Sequence, residues 1–328
     1  MKALNPVENA VCGTACLLAT QLAVSLPAQA QAWPSKPISI VVPFSAGGPT
    51  DTLARIMSEP LRRFLGQTIV VDNVTGAGGS IGVGRVVRSA PDGYTLSLGH
   101  WGTHVVNGAY YNLSYDLLKD MAPVAKVATN PQLIVSKPGV PAKDLKELIA
   151  WMKANSDKFK FATGGVGGSS HIAGVYFLNR LGMKTEFIPY RGGAPALNDV
   201  LAGTIPMTFA TVTQALPQYQ SGLVRALGVT TAERHRALPN VPTFREQGID
   251  LLVSEWYGLL APAATPRDIV MKLNNAVNTI VKSPEFNKRL AQLGADPVAE
   301  SPEYFAKFLQ AEIERWAPVV KASGAKPE

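Results

Sequence analysis

Short β-branched runs alternate with longer helical patterns along nearly the whole chain, and several of the strand ends run straight into glycine. The stretch "IVVPFSAGGPTDTLARI", residues 40–56, shows the pattern: an apolar run ends at Pro43-Phe44, Gly47-Gly48 follow, and a helical pattern opens. Alternation of this kind specifies α/β architecture with mostly parallel sheets, because a parallel pair needs a crossover that a helix supplies. Strands are expected at residues 38–44, 68–72, 95–98, 124–128, 133–136, 160–162, 186–189, 207–210 and 224–229. Helices are expected at 52–65, 81–89, 143–155, 170–181, 195–202, 266–281, 284–293 and 302–321. Asp51, Ser283 and Ser301 precede helical runs as N-cap residues, and Pro284 and Pro302 suit a first helical turn. Pro60, inside the first helix, predicts a kink or a break.

A chain of 328 residues, 46% hydrophobic and 17% charged, has the length for two such sheets. The pattern is interrupted near Asn130-Pro131 and near Leu252, which places the crossings there. One lobe is therefore expected from residues 33–131 plus 253–328 and the other from 132–252. The stretch after Pro266 is nearly all helical and too poor in strands to stand alone, so it is expected to pack back on the first sheet.

Residues 1–32 read as an export signal: Lys2, an apolar run over 10–26, then "LPAQAQAW" with cleavage near Ala30 or Ala32. Both cysteines, Cys12 and Cys16, lie inside it, so the mature chain is expected to hold no disulfide, thiol nucleophile or cysteine-bound metal. Nothing after Trp33 is long and apolar enough for a bilayer span, and the expected location is the periplasm. The net charge of +7 is scattered, without the basic stripe of a nucleic-acid binder.

Four strand ends run into loops of small residues: Phe44–Gly48, "GHWGTH" from Gly99, "ATGGVGGSSH" from Ala162, and "PYRGGAPAL" from Pro189. In open α/β sheets ligands bind beyond the carboxyl ends of strands. A helix N-terminus there offers unpaired N–H groups to an anion, and glycine lets the backbone approach it. Ser169, Ser170, His171, Tyr190 and Arg191 add side-chain donors at two of these loops. Competing motifs are weaker. "GGSIG", residues 78–82, matches the hydrolase G-x-S-x-G pattern with Ser80 as nucleophile, but residues 73–77 separate it from the preceding strand. "GVGGSS" from Gly165 is a degraded dinucleotide fingerprint whose acidic partner, Glu186, begins its strand instead of ending it. His100 and His104 are four apart with Gly102 between them and no acidic neighbour, so neither a metal nor a cofactor is expected.

Taken together, "PFSAGGPTDTLAR", "LGQTIVVDNVTGAGGSIG", "APDGYTL", "YDLLKDMAPVAKV", "IPYRGGAPALNDVLAGTIPMTFA", "GLVRALGVTTAERHRALPNVPTFREQG" and "WYGLLAPAATP" resemble the extracytoplasmic substrate-binding receptors of tripartite tricarboxylate transporters, the Bug family. The resemblance runs in order through the mature chain. It implies a two-lobed, periplasmic-binding-protein-like fold with a ligand cleft between the lobes, closing like a flytrap. It also implies a monomer that captures a small carboxylate (tricarboxylate, dicarboxylate, acidic amino acid or aromatic acid) and delivers it to membrane permease subunits, without catalysis. By position it assigns the ligand to Phe44, Ser45, Ala46, Gly47 and Gly48 in the first lobe, and to Gly168, Ser169, Ser170, His171, Tyr190 and Arg191 in the second. Asp51 is read as a helix cap, because its carboxylate would repel the ligand's. Ser45-Ala46 departs from the proline often found before the paired glycines, and His100-Trp101 would shape the far end of the pocket for an aromatic or elongated acid. The competing reading is an exported serine hydrolase using Ser80.

Overall fold

The computed structural model describes residues 33–156, 159–190 and 192–322. The expected signal segment, Cys12, Cys16 and Arg191 lie outside the described residues. The chain opens with β1 (Ile38–Val42), α1 (Pro49–Leu65), β2 (Ile69–Asn73), α2 (Ser80–Val87), β3 (Thr95–His100) and, after a π-helical turn at Gly102–Val106, α3 (Asn107–Tyr110). It continues through β4 (Met121–Ser136), α4 (Leu145–Ala154), β5 (Phe161–Thr163), α5 (Ser169–Arg180), β6 (Phe187–Pro189), α6 (Gly193–Ala202), β7 (Met207–Thr211), α7 (Val212–Gln220) and β8 (Arg225–Val229). The last part holds β9 (Ser254–Pro262), α8 (Arg267–Val281), α9 (Pro284–Gln292), β10 (Asp296–Pro297) and α10 (Pro302–Ala322).

The strands run in the order β2-β1-β3-β9-β4-β7-β5-β6, with β8 and β10 attached to β4. Parallel pairs, β1 with β2 and β3 and β5 with β6 and β7, form the two wings. Antiparallel pairs converge on β4 and β9 between them. The arrangement is the two-lobed α/β fold of periplasmic binding proteins. Strand β4 runs through both halves: up to Pro131 it pairs with β9, and from Gln132 it pairs with β7. Asn130-Pro131 is thus no break between two strands, as the proline implied, but the point inside one long strand where the partner changes.

Two apolar layers sandwich the first wing. Ile38, Ile40 and Val42 face Leu53, Met57 and Leu61 of α1 and Leu273 and Val277 of α8, while Val41 faces Val83 and Val86. Burying each such side chain contributes about 1.5–3 kcal/mol. This explains why the strand reads as a nearly continuous apolar run. The C-terminal helices do pack back on this sheet, through α8 and α10 against β4. Ser283 and Ser301 cap α9 and α10 as expected, their hydroxyls accepting the N–H groups of Phe286 and Tyr304. Two details differ. Helix α1 runs unbroken past Pro60. It also starts at Pro49, three residues before the expected Thr52, so its N-cap is Gly48 and Asp51 lies within the first turn. A proline at the first helical position lacks only an N–H that no helical carbonyl could accept.

Candidate functional site

A cleft of about 810 Å³ opens beyond the carboxyl ends of β1 and β5. Three helices point their N-termini into it: α1 through Gly48-Pro49-Thr50, α5 through Gly168-Ser169-Ser170, and α6 through Gly192-Gly193. In each case the N-cap residue is glycine and no side chain caps the helix. First-turn N–H groups have no acceptor within their own helix. Three sets of unpaired donors, each at the positive end of a macrodipole, therefore face one space.

The loops are held in place by hydrogen bonds to their own and neighbouring side chains. Gly47 adopts a left-handed conformation (φ 83°), and its N–H donates to Asp51 Oδ2 at 2.8 Å. Asp51 Oδ2 also accepts from Arg55 Nε at 2.9 Å, and Oδ1 accepts from Asn73 Nδ2 at 3.1 Å. The hydrogen bond from Arg55 is the main cause holding this carboxyl below its ordinary range, against the opposing effect of burial. Asp51 is thus a brace for the loop and not the N-cap that the sequence suggested. In the second loop Ser170 Oγ accepts the Gly164 N–H at 2.9 Å and His171 Nδ1 accepts the Gly167 N–H at 3.0 Å. Gly164 lies so close to α6 that a Cβ on it would stand 2.9 Å from the Gly193 nitrogen. Tyr190 donates its hydroxyl to Asp199 at 2.5 Å, which pushes its pKa up to about 12.

Of the residues singled out in the sequence, Phe44, Ser45, Ala46 and Gly48 line the cleft from one side. Gly168, Ser169, Ser170 and Tyr190 line it from the other, and His100 stands between them. The ring of His100 stacks on Phe44, with centroids 4.4 Å apart. Three residues are placed elsewhere. Trp101 is 1% exposed and packs edge-on against Trp316, so it cannot shape the pocket for an aromatic acid. His171 is buried against Phe187 and serves the loop from behind. Gly47 is outside the lining because its N–H turns back to Asp51. Ser80 opens α2 with its hydroxyl donating to Ala77 O, while His171 binds Gly167 and His235 binds Asp296 and Ala237. No histidine engages that serine among the described residues.

Sequence reasoning missed the floor of the cleft. Gln132, Thr211, Glu255 and Tyr257 all line it, and they come from β4, β7 and β9. Strand β9 was not expected, and a polar residue inside an apolar strand carries no signal until its pairing partners are known. Among the described lining residues there is no lysine or arginine, so an anion in the cleft would rest on backbone donors and neutral side chains.

Residues 53–325 match the profile of the family described as tripartite tricarboxylate transporter family receptor. BugT of Bordetella pertussis is 35% identical over 306 residues, covering 92% of this chain and 94% of its own. Among solved structures, MatC of Rhodopseudomonas palustris with bound malate is 36% identical and superposes with a TM-score of 0.78 over 88% of this chain and 99% of its own. R. palustris Rpa4515 with adipate is 32% identical and superposes with a TM-score of 0.82 over 90% and 100%. Fold and family are those of solute-binding receptors, and the chain belongs to the tripartite tricarboxylate transporter receptor family.

Proposed function

We propose that this protein is a periplasmic receptor that captures a small carboxylate by lobe closure and delivers it to the permease subunits of a tripartite tricarboxylate-type transporter. The observation that carries this reading is the convergence of three glycine-capped, side-chain-uncapped helix N-termini on one cleft. An anion at one such terminus gains about 0.3–1 kcal/mol, and up to about 2 when partly buried. The N–H groups add charge-assisted hydrogen bonds on top of that. The relatives solved with bound malate and with adipate support a carboxylate as the anion.

On this reading residues 33–131 and 253–328 form one lobe and residues 132–252 the other, which agrees with the change of β4's partner between Pro131 and Gln132. Helix α1 then belongs to the first lobe, and α5 and α6 to the second. A ligand drives closure only through contacts that improve in the closed state. One carboxylate compound gripped by both sets of N-termini meets that condition. Export to the periplasm as a monomer, with residues 1–32 removed near Ala30 or Ala32, completes the reading. Among the described residues no helix is long and apolar enough to cross a membrane.

A thermal-shift screen across aliphatic, amino and aromatic carboxylates tests it. At least one compound is expected to raise the melting temperature by several degrees. A panel that leaves the curve unmoved, while an ester is hydrolysed in a Ser80-dependent way, would overturn the receptor reading in favour of a hydrolase.

A further inference from the structure

The rim of the cleft is made of backbone donors, but its floor is made of side chains of a different character. The sheet register sets that floor. His100 pairs with Tyr257, Asn130 with Glu255, and Gln132 with Thr211. Residues two apart on a strand share a face, so His100, Tyr257, Glu255, Gln132 and Thr211 are presented together, and all five line the cleft.

Glu255 is the one acidic side chain among the described lining residues, and no lysine or arginine accompanies it there. Its side chain is only 11% exposed. Among the described residues the nearest basic group is His100, whose Nδ1 stands 3.7 Å from Glu255 Oε1. That nitrogen accepts the Gly102 N–H at 2.9 Å, so it carries no proton and has nothing to donate to the carboxylate. Burial also depresses the pKa of the imidazole, which keeps it neutral. The Tyr257 hydroxyl reaches Glu255 at 3.5 Å, the long limit of a hydrogen bond. A carboxylate this enclosed normally has a cationic partner. Beside it, Gln132 is 1% exposed, and both its amide nitrogen and oxygen lack partners, as does the hydroxyl of Thr211. Leaving such groups unpaired is costly, so the floor is built to be completed by something with both donors and acceptors.

We propose that Glu255 receives the ammonium group of the ligand, so that this receptor takes an amino acid in preference to the corresponding plain acid. The inference rests on the receptor reading above. The ligand's carboxylate meets the helix N-termini at the rim, its ammonium meets Glu255 on the floor, and Gln132 and Thr211 complete the polar contacts. A plain dicarboxylate of similar length brings a second negative charge, or none of the needed donors, towards Glu255.

Isothermal titration of the full mature protein with matched pairs tests the proposal: succinate and L-aspartate, glutarate and L-glutamate, adipate and L-2-aminoadipate, hydrocinnamate and L-phenylalanine. In at least one pair the amino acid is expected to bind tenfold or more tightly than its deaminated partner. Glu255→Gln, which keeps the shape and removes the charge, is expected to abolish that preference by weakening the amino acid and strengthening the plain acid. The proposal is overturned, with the receptor reading intact, if the plain acids bind as well or better in every pair that binds. A preference that survives in Glu255→Gln overturns it too. If no carboxylate of any kind binds, both readings fall. Should the variant not fold, the wild-type ratios decide the matter alone.

Discussion

His104 has no exposed surface, stacks on Trp256 at 6.2 Å, and has no hydrogen-bond partner for either ring nitrogen. Burial, assisted by the neighbouring His100, lowers its pKa to about 3. An unfolded chain protonates its histidines near pH 6.5. Between those values the unfolded state binds a proton that the folded state refuses. The stabilisation from His104 is therefore complete above about pH 6.5 and is lost as the pH falls towards about 3, by up to about 1.4 kcal/mol per pH unit. Burial shifts His100 and His171 in the same direction. Denaturant unfolding at pH 7 and pH 5 should show a large loss in the wild type and a smaller one in His104→Phe, because the substitution removes one titrating group and leaves two. Equal losses in both proteins would mean that His104 does not carry this dependence. The sequence marked His104 only as half of a weak metal pair. Its real environment depends on β9, which brings Trp256 against it.

At the scale of elements, the site is a set of helix starts held in register by glycine. Gly164 follows β5 where the chain passes the start of α6, and its N–H is accepted by Ser170 Oγ. A Cβ there would press on the backbone of Gly192-Gly193, with no flexible side chain to give way. Gly164→Ala should push the starts of α5 and α6 apart and lower carboxylate affinity tenfold or more, with only a modest fall in melting temperature because the core below is untouched. Titration of the best ligand from the thermal screen checks this, and an unchanged affinity would remove α6 from the anion site. These loops were the most legible part of the sequence. Glycine at a strand end followed by a helical pattern has a local cause, and Phe44–Gly48 and the stretch up to Ser170 could be read from it. The roles of Asp51 and His171 were less legible, because both fold back on their own loops and only the geometry separates a brace from a ligand contact. Apart from His100, the floor was not legible. Gln132 and Glu255 share a face only because β4 pairs with β9, more than a hundred residues along the chain, and a sequence pattern records only neighbours.

On the scale of the whole molecule, the two wings are joined by more than their crossing strands. The C-terminal half of α10 touches both. Trp316 packs edge-on against Trp101, beside the π-helical turn, at 5.3 Å and against Tyr176 of α5 at 5.4 Å. Next to it Arg315 donates to the carbonyl of Leu252 at 2.8 Å. One hydrophobic cluster accordingly runs from Val41 and Val83 of the first wing through Trp101 and Trp316 to Phe177 and Phe209 of the second. A shared core couples the unfolding of the parts it joins, so the wild type should melt in a single calorimetric transition whose calorimetric and van't Hoff enthalpies agree. Trp316→Ala removes a side chain that is 1% exposed at the centre of this bridge and should cost about 3–5 kcal/mol. Because the lost contacts link the two wings, the variant's transition should also broaden or split, with the calorimetric enthalpy exceeding the van't Hoff value. A ligand that grips both lobes would partly restore the single transition, since binding re-couples them from the cleft side. If Trp316→Ala merely melts earlier in one sharp step, β4 alone is enough to couple the lobes. Helix α10 would then be a prop for the first sheet and not the second tie between the jaws.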